Sequence, residues 1–194
     1  MSALSSSIPA IPEHQTTLVN SLRLRAITAD DMPHLRTMYA DSRAKEMQLF
    51  PFTPEQSAQF LQMQFNAQHQ HYQTHYPDAT YDLIVLDDEA IGRLYVERGQ
   101  QEILIIDILI LATHCQRGIG SYLLSKLIDE AKAAQKCLTA HVELDNPARR
   151  LYQRLGFIEV EQHGPYLLIV KDPTPTSDDQ HHQTQHTTTE LERS

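Results

Sequence analysis

Residues 102–124 constrain the fold more than any other stretch. They read Glu-Ile-Leu-Ile-Ile-Asp-Ile-Leu-Ile-Leu-Ala, then Thr-His-Cys-Gln-Arg-Gly-Ile-Gly-Ser, then Tyr-Leu-Leu. A run of isoleucine and leucine broken by one carboxylate, Asp107, predicts a strand buried on both faces. The two glycines mark a turn, and the residues after it open an amphipathic helix. Gly118 and Gly120 carry no Cβ, so a ligand can come close to the backbone there. The first amides of the helix lack intrahelical partners and sit at the positive end of its dipole. Such a strand–turn–helix unit holds an anion, and phosphate is its natural occupant. It is not a Rossmann fingerprint, because Leu123 stands where the third glycine belongs and the preceding elements read as consecutive strands. Nor does a Gly-Lys-Ser/Thr segment supply a Walker A loop.

The flanking chain reads as alternating strands and helices. Leu22–Ile27 alternates Leu with Arg, a strand with one wet face. Asp30 or Asp31 is expected to cap a short helix with Leu35, Met38 and Tyr39 on its buried stripe. Residues 43–53 read as a loop whose Met47, Leu49, Phe50 and Phe52 form either a pocket lid or local core. Pro54 opens a helix to about His75, with Leu61, Phe65, Tyr72 and Tyr76 on one face. His71 and His75 lie one turn apart, a spacing that suits a metal but is expected to be a polar face. Strands 81–86 and 90–97 are joined by Asp87-Asp88-Glu89. Gly99-Gln100-Gln101 then leads into the central strand. A helix over 122–136, a strand over 138–144, a helix begun by Asn146-Pro147 and ended by Gly156, and strands 157–161 and 166–170 complete the pattern. Residues 1–20 read as a loose arm and 172–194 as a disordered Thr/Gln/His-rich tail, His181, His182 and His186 included.

One domain over residues 21–171 suits a chain of 194 residues. A formal charge of −9 argues against nucleic acid, whose binders present a basic surface. Cys115 and Cys137 make no disulfide framework. No apolar run is long enough to span a bilayer, and the first twenty residues lack the basic start and apolar core of a signal peptide, so the expected location is the cytoplasm.

Two segments carry a family resemblance: Arg117-Gly-Ile-Gly-Ser-Tyr-Leu-Leu, and Asn146-Pro-Ala-Arg-Arg-Leu-Tyr-Gln-Arg-Leu-Gly-Phe157. Together they resemble the GNAT superfamily of N-acetyltransferases over about residues 22–171. The resemblance implies an α/β fold with a mixed, mostly antiparallel sheet, splayed between its fourth and fifth strands. It implies acetyl-CoA as co-substrate and no metal. Pantetheine would lie along Leu109, Ile110 and Leu111, and the pyrophosphate on Cys115, Gln116, Arg117, Gly118, Ile119, Gly120 and Ser121, with Asn146 and Arg149 near by. The acceptor would be a primary amine of a small molecule or protein, and a homodimer is among the assemblies the resemblance allows. Two departures stand out. Cys115 occupies a place where the family usually has Gln or Arg, and Asp145 stands where its asparagine often does.

The chemistry requires a neutral amine, yet a lysine-like amine is only about 0.1 % neutral at pH 7. A carboxylate can take its proton directly or through water. Asp107 is the first candidate and Glu102 the second. The competing reading of Asp107 is a buried ion pair with Arg93 or Arg25. The backbone N–H near Ile110 would stabilise the oxyanion, and Tyr152 matches the family's general acid for the departing thiolate. Two other functions fit the sequence. One is a catalytically silent acetyl-CoA- or CoA-binding regulatory module. The other is a scaffold that docks a partner on its Gln/His-rich helix.

Overall fold

The structure, a computed structural model, describes residues 21–173. Seven strands form one sheet: β1 (Leu22–Ala26), β2 (Thr80–Leu86), β3 (Glu89–Arg98), β4 (Glu102–Ile110), β5 (Cys137–Glu143), β6 (Ile158–His163) and β7 (Tyr166–Lys171). Their order is β1-β2-β3-β4-β5-β7-β6. The helices are α1 (Met32–Met47), α2 (Pro54–His75), α3 (Ile119–Ala134) and α4 (Arg149–Arg154). The arm and most of the tail, with His181, His182 and His186, lie outside the described residues.

Neighbouring strands are antiparallel except β4 and β5, which run parallel because α3 crosses between them. This is the mixed, mostly antiparallel sheet the sequence implied. The parallel ladder joins only Glu102–Ile105 to Cys137–Ala140. Beyond it β4 stays paired to β3 as far as Ile110↔Gly92, while β5 departs. The register shifts between Ile105 and Asp107, leaving Ile106 as a bulge that adds local twist where the strands separate.

Each face of the sheet carries its own core. Ile84, Leu94, Ile103, Ile105, Leu138 and Ala140 meet Ile119, Leu123, Leu124, Leu127 and Ala131 of α3 on one side. On the other, Leu83 and Val85 meet Leu35, Met38 and Tyr39 of α1 and Leu61 and Phe65 of α2. Each such side chain, once buried, contributes about 1.5–3 kcal/mol. Leu124→Ala would therefore cost about 2–5 kcal/mol, cavity included.

Three local expectations change. Arg43–Met47 is helical, not loop, because no Gly or Pro interrupts the chain between Pro33 and Pro51 and Met47 finds a buried place at the end of α1. Asp31 holds the N-cap position of α1 but makes no side-chain cap bond to it. Thr28 caps the 3₁₀ turn Ala29–Asp31, and Asp31 reaches back to accept from Thr28 N at 2.7 Å. Arg25 donates to both oxygens of Asp31 and holds that carboxyl far below the usual range. Finally, α3 starts at Ile119, ahead of the expected Tyr122, so both glycines sit at its first turn.

Candidate active site

The anion turn is built from backbone conformation. Gln116 and Gly118 both have positive φ, 60° and 85°, which swings the chain from the 3₁₀ turn Ala112–His114 into α3. A φ of 85° suits Gly118 because a Cβ would strain it. The first helical bond runs from Tyr122 N–H to Gly118 O at 2.9 Å, so the amides of Ile119, Gly120 and Ser121 have no helical acceptor. No side chain caps them. At Gly120 an added Cβ would touch only Leu151 Cδ2 at 3.4 Å and Ile110 Cδ1 at 3.5 Å. Gly120 is thus the point where the end of β4, the start of α3 and α4 converge. The free amides, the missing Cβ and the exposed Arg117 beside them fit a pyrophosphate.

The gap between β4 and β5 leads away from this turn. Leu111 N–H donates to Ile91 O at 2.9 Å, on the β3 side. Peptide groups alternate along an antiparallel strand, so those of Leu109 also face β3, and those of Ile108 and Ile110 face the gap. The burial of β4 falls at the same place, from buried at Ile103–Ile105 to half-buried from Ile106 onward. Cys115 is exposed, with Sγ 3.5 Å from Ile110 O, and supplies no cation at its position in the turn.

Asp107 and Tyr152 stand on either side of this region. Asp107 Oδ2 lies 2.6 Å from Arg93 Nη2, with Arg93 only 3 % exposed. The contact is an ion pair, and Oδ2 has no further partner among the described residues. Nη2 instead donates to Gln68 Oε1 at 3.0 Å. Burial pushes the Asp107 carboxyl up, and Arg93 opposes that rise. Arg25 belongs to Asp31. Tyr152 is 4 % exposed and packs edge-on against Phe157, centroids 5.2 Å apart. Its hydroxyl has no hydrogen-bond partner among the described residues. Burial, and then the charge of Asp107, push it up to about 12, which places the two groups within electrostatic reach.

Other predicted residues have different surroundings. Glu102 begins β4 at its paired end, roughly 17 Å along the strand from Asp107, and accepts from Thr139 Oγ1 at 2.8 Å. Asn146 Oδ1 accepts from Ala148 N at 2.8 Å and shapes the turn into α4. Arg149 donates to Glu159 Oε1 and Leu144 O, both at 2.7 Å. Ile119 points into the core, so only its amide faces the turn. The rings of His71 and His75 lie with centroids 4.0 Å apart and planes tilted by 30°, and no third ligand-type side chain joins them among the described residues. Of the loop residues, Leu49 is 83 % exposed, and Phe50 stacks on Phe52, which in turn meets Phe60 of α2 at a tilt.

Sequence reasoning missed the residues that close the other side of the gap. Arg43 of α1 donates to Glu143 at the end of β5 at 3.2 Å, a tie across 100 positions. Gln68 and His69 of α2 reach toward Arg93. They share the stripe of Leu61, Phe65 and Tyr72, and polar residues on a buried stripe are the signal that could have exposed the network.

The family model described as the Acetyltransferase (GNAT) family matches residues 42–157. No curated protein sequence matches the chain. Among solved structures, PaiA N-acetyltransferase from Thermoplasma acidophilum, in complex with coenzyme A, aligns with a TM-score of 0.59 at 14 % identity, covering 78 % of this chain and 99 % of that one. An acetyltransferase from Thermus thermophilus gives 0.56 at 23 % identity, over 78 % and 97 %. The ribosomal-protein-S18-alanine N-acetyltransferase from Escherichia coli gives 0.53 at 15 % identity, over 81 % and 97 %. At these identities the structures establish a shared fold.

Proposed function

The chain belongs to the GNAT acetyltransferase family, and within it we propose an N-acetyltransferase that moves acetyl from acetyl-CoA to a primary amine by direct attack in a ternary complex. The observation that carries this is the convergence of three free amides, a strand gap, a buried carboxylate and a buried phenol. The amides of Ile119, Gly120 and Ser121, with Arg117, hold the pyrophosphate. Leu109, Ile110 and Leu111 line the path to the gap. Acetyl-CoA, when bound there, supplies a thioester as the acyl donor.

The chain's own groups do the rest. Asp107 takes a proton from the incoming ammonium through water, because Arg93 already occupies one side of its carboxylate. Its raised pKa favours this, since a carboxylate near its ordinary value is too weak a base. The gap-facing N–H of Ile110 donates to the carbonyl oxygen as it gains charge. Tyr152 keeps its proton at neutral pH, being pushed up to about 12. A phenol that weak does not protonate a thiolate outright, a thiol being near 8.5 (about 3 units more acidic). Tyr152 therefore stabilises the departing sulfur by a hydrogen bond that strengthens as charge builds. Glu102 is left out, lying at the far end of β4.

A panel of ethanolamine, putrescine, phenethylamine and a hexapeptide with a free amino terminus tests the reading, with released thiol and product mass both recorded. Acetylated product from any of them is expected. Acetyl-CoA binding with no product from any amine would favour the regulatory module, a reading supported by Cys115 in the turn. No binding at all would leave the scaffold.

A further inference from the structure

Five buried side-chain atoms in the described residues lack a hydrogen-bond partner, and four belong to one layer between α2 and strands β3 and β4: His69 Nδ1, Arg93 Nε, Tyr95 OH and Asp107 Oδ2. Contacts tie the layer together. Arg93 touches Asp107 at 2.6 Å, bonds Gln68 at 3.0 Å, and lies 5.4 Å from the centre of the Tyr95 ring. Tyr72 closes it, edge-on to Tyr95 at 6.2 Å. Asp107 Oδ2 at least faces Arg93, but leaving the other three atoms dry costs about 1–3 kcal/mol each, and buried water is how proteins satisfy such atoms.

The proposed reaction gives this layer work. The amine nitrogen forms its bond to the acetyl carbon as the carbon–sulfur bond breaks, and the starting ammonium sheds two protons. One ends on the CoA sulfur. The other must leave Asp107, whose side chain is only 16 % exposed and stands at the edge of the opening that the substrates fill. Arg93 cannot accept a proton, and neither can the Gln68 amide. His69 can. Its ring lies flat on Phe65, centroids 5.7 Å apart, with Nδ1 buried in the layer. Among the described residues Nε2 also has no hydrogen-bond partner and is not one of the buried atoms, so it is open to solvent. Burial, with Arg93 adding to it, lowers the His69 pKa, so the ring is neutral at pH 7 and free to accept. The groups facing it are Arg93 from β3 and, beyond it, Asp107 from β4. Asp107 in turn faces Arg93, Arg43 and Glu143.

We propose that these four atoms share a small cluster of buried waters, and that the cluster carries the proton taken up by Asp107 to solvent through the imidazole of His69. Nδ1 accepts from the cluster while Nε2 releases its proton to bulk water, and a half-turn of the ring then presents an unprotonated nitrogen to the cluster for the next cycle. His69 is then a positioning and relay residue that never touches the acceptor. The proposal rests on Asp107 being the base.

Two measurements test it. A crystal structure at atomic resolution should show ordered water within hydrogen-bond distance of at least two of the four atoms, and a dry layer overturns the proposal. Turnover is then measured with the best acceptor of the amine panel in His69→Asn, His69→Ala and Asp107→Asn. Asparagine keeps a polar atom near the Nδ1 position but neither takes up nor releases a proton. Both His69 variants should lose about ten- to a hundredfold in turnover, with acetyl-CoA affinity unchanged, and imidazole in the buffer should restore part of the loss in His69→Ala. Full activity in His69→Asn overturns the relay, whether His69→Ala is impaired or not. If Asp107→Asn is inactive in that case, the base assignment survives alone. Undiminished activity in Asp107→Asn overturns the base, and the relay with it.

Discussion

Replacing Arg93 by methionine tests whether Asp107 is a buried charge held by one partner. Methionine keeps most of the volume of the aliphatic stem, so little cavity forms. Two interactions vanish: the ion pair with Asp107 and the bond to Gln68. Removing one member of a buried pair leaves the other uncompensated, at a cost of about 3–5 kcal/mol; the Gln68 bond is about 1 kcal/mol of that at most. The pH dependence gives the sign. Burial already raises the Asp107 carboxyl, and Arg93 is what opposes the rise. Without Arg93 the folded protein binds this proton still more tightly than the unfolded chain does. The penalty is then full above the raised folded pKa, and it is relieved as the pH falls toward the ordinary value near 4. Urea unfolding from pH 5 to 8 should show the deficit of Arg93→Met shrinking on the acid side. Adding Asp107→Leu should recover most of it, because a buried pair replaced as a unit is close to neutral in stability. A deficit below about 1 kcal/mol, flat with pH and untouched by the second substitution, would falsify the buried-pair account.

Gly120→Asp should abolish measurable acetyl-CoA binding by calorimetry while leaving the melting temperature nearly unchanged, since the new Cβ meets nothing closer than 3.4 Å. Unaltered affinity would move the pyrophosphate elsewhere. Cys115→Arg adds a cation beside the same turn and should tighten binding, with an effect that weakens as salt is raised. Tyr152→Phe should lower turnover about a hundredfold with acetyl-CoA affinity intact, and the defect should shrink for a thioester with a more acidic thiol; full activity would make the ring purely structural. Asp31→Ala should cost about 1 kcal/mol at pH 7. Its carboxyl sits below the usual range in the folded state, so this difference should narrow as the pH falls through that depressed value, and a difference constant down to strongly acid pH would disprove the Arg25–Asp31 account.

The strand–turn–helix unit is legible in sequence because its signals are local. An apolar run of strand length, two glycines and a helical period each act within a few residues, and β4 stands where those signals put it, with α3 starting one turn early. Legibility fails where distant residues decide. Helix α1 runs on to Met47 with Arg43 tied to Glu143 across 100 positions, and nothing near Arg43 announces that partner. The relay layer is half-legible. Gln68 and His69 fall on the same helical stripe as Phe65 and Tyr72, so their polarity signals a buried network, but its members on β3 and β4 follow only from the register Tyr95↔Asp107. Glu102 and Asp107 look equivalent as neighbouring acids on one strand. They differ because the parallel ladder ends between them.

That ladder also explains why a site forms here. Parallel neighbours need a crossover, and the crossover helix must start at the carboxyl end of the first strand. The free amides of α3 are therefore delivered to the end of β4 by topology, before any side chain is chosen. The bulge at Ile106 then parts β4 from β5 on that same side, so the peptide groups of Ile108 and Ile110 lose the partner strand they would otherwise bond. Unpaired peptide groups beside half-buried isoleucines are costly to leave without partners, and an amide-bearing chain such as pantetheine can pair with them as a strand would. The fold thus gives up ladder bonds at one place, and the same choice of strand direction brings the free amides of α3 to the end of the same strand. Asp107, the first residue past the bulge, is the carboxylate that this geometry leaves at the edge of the opening.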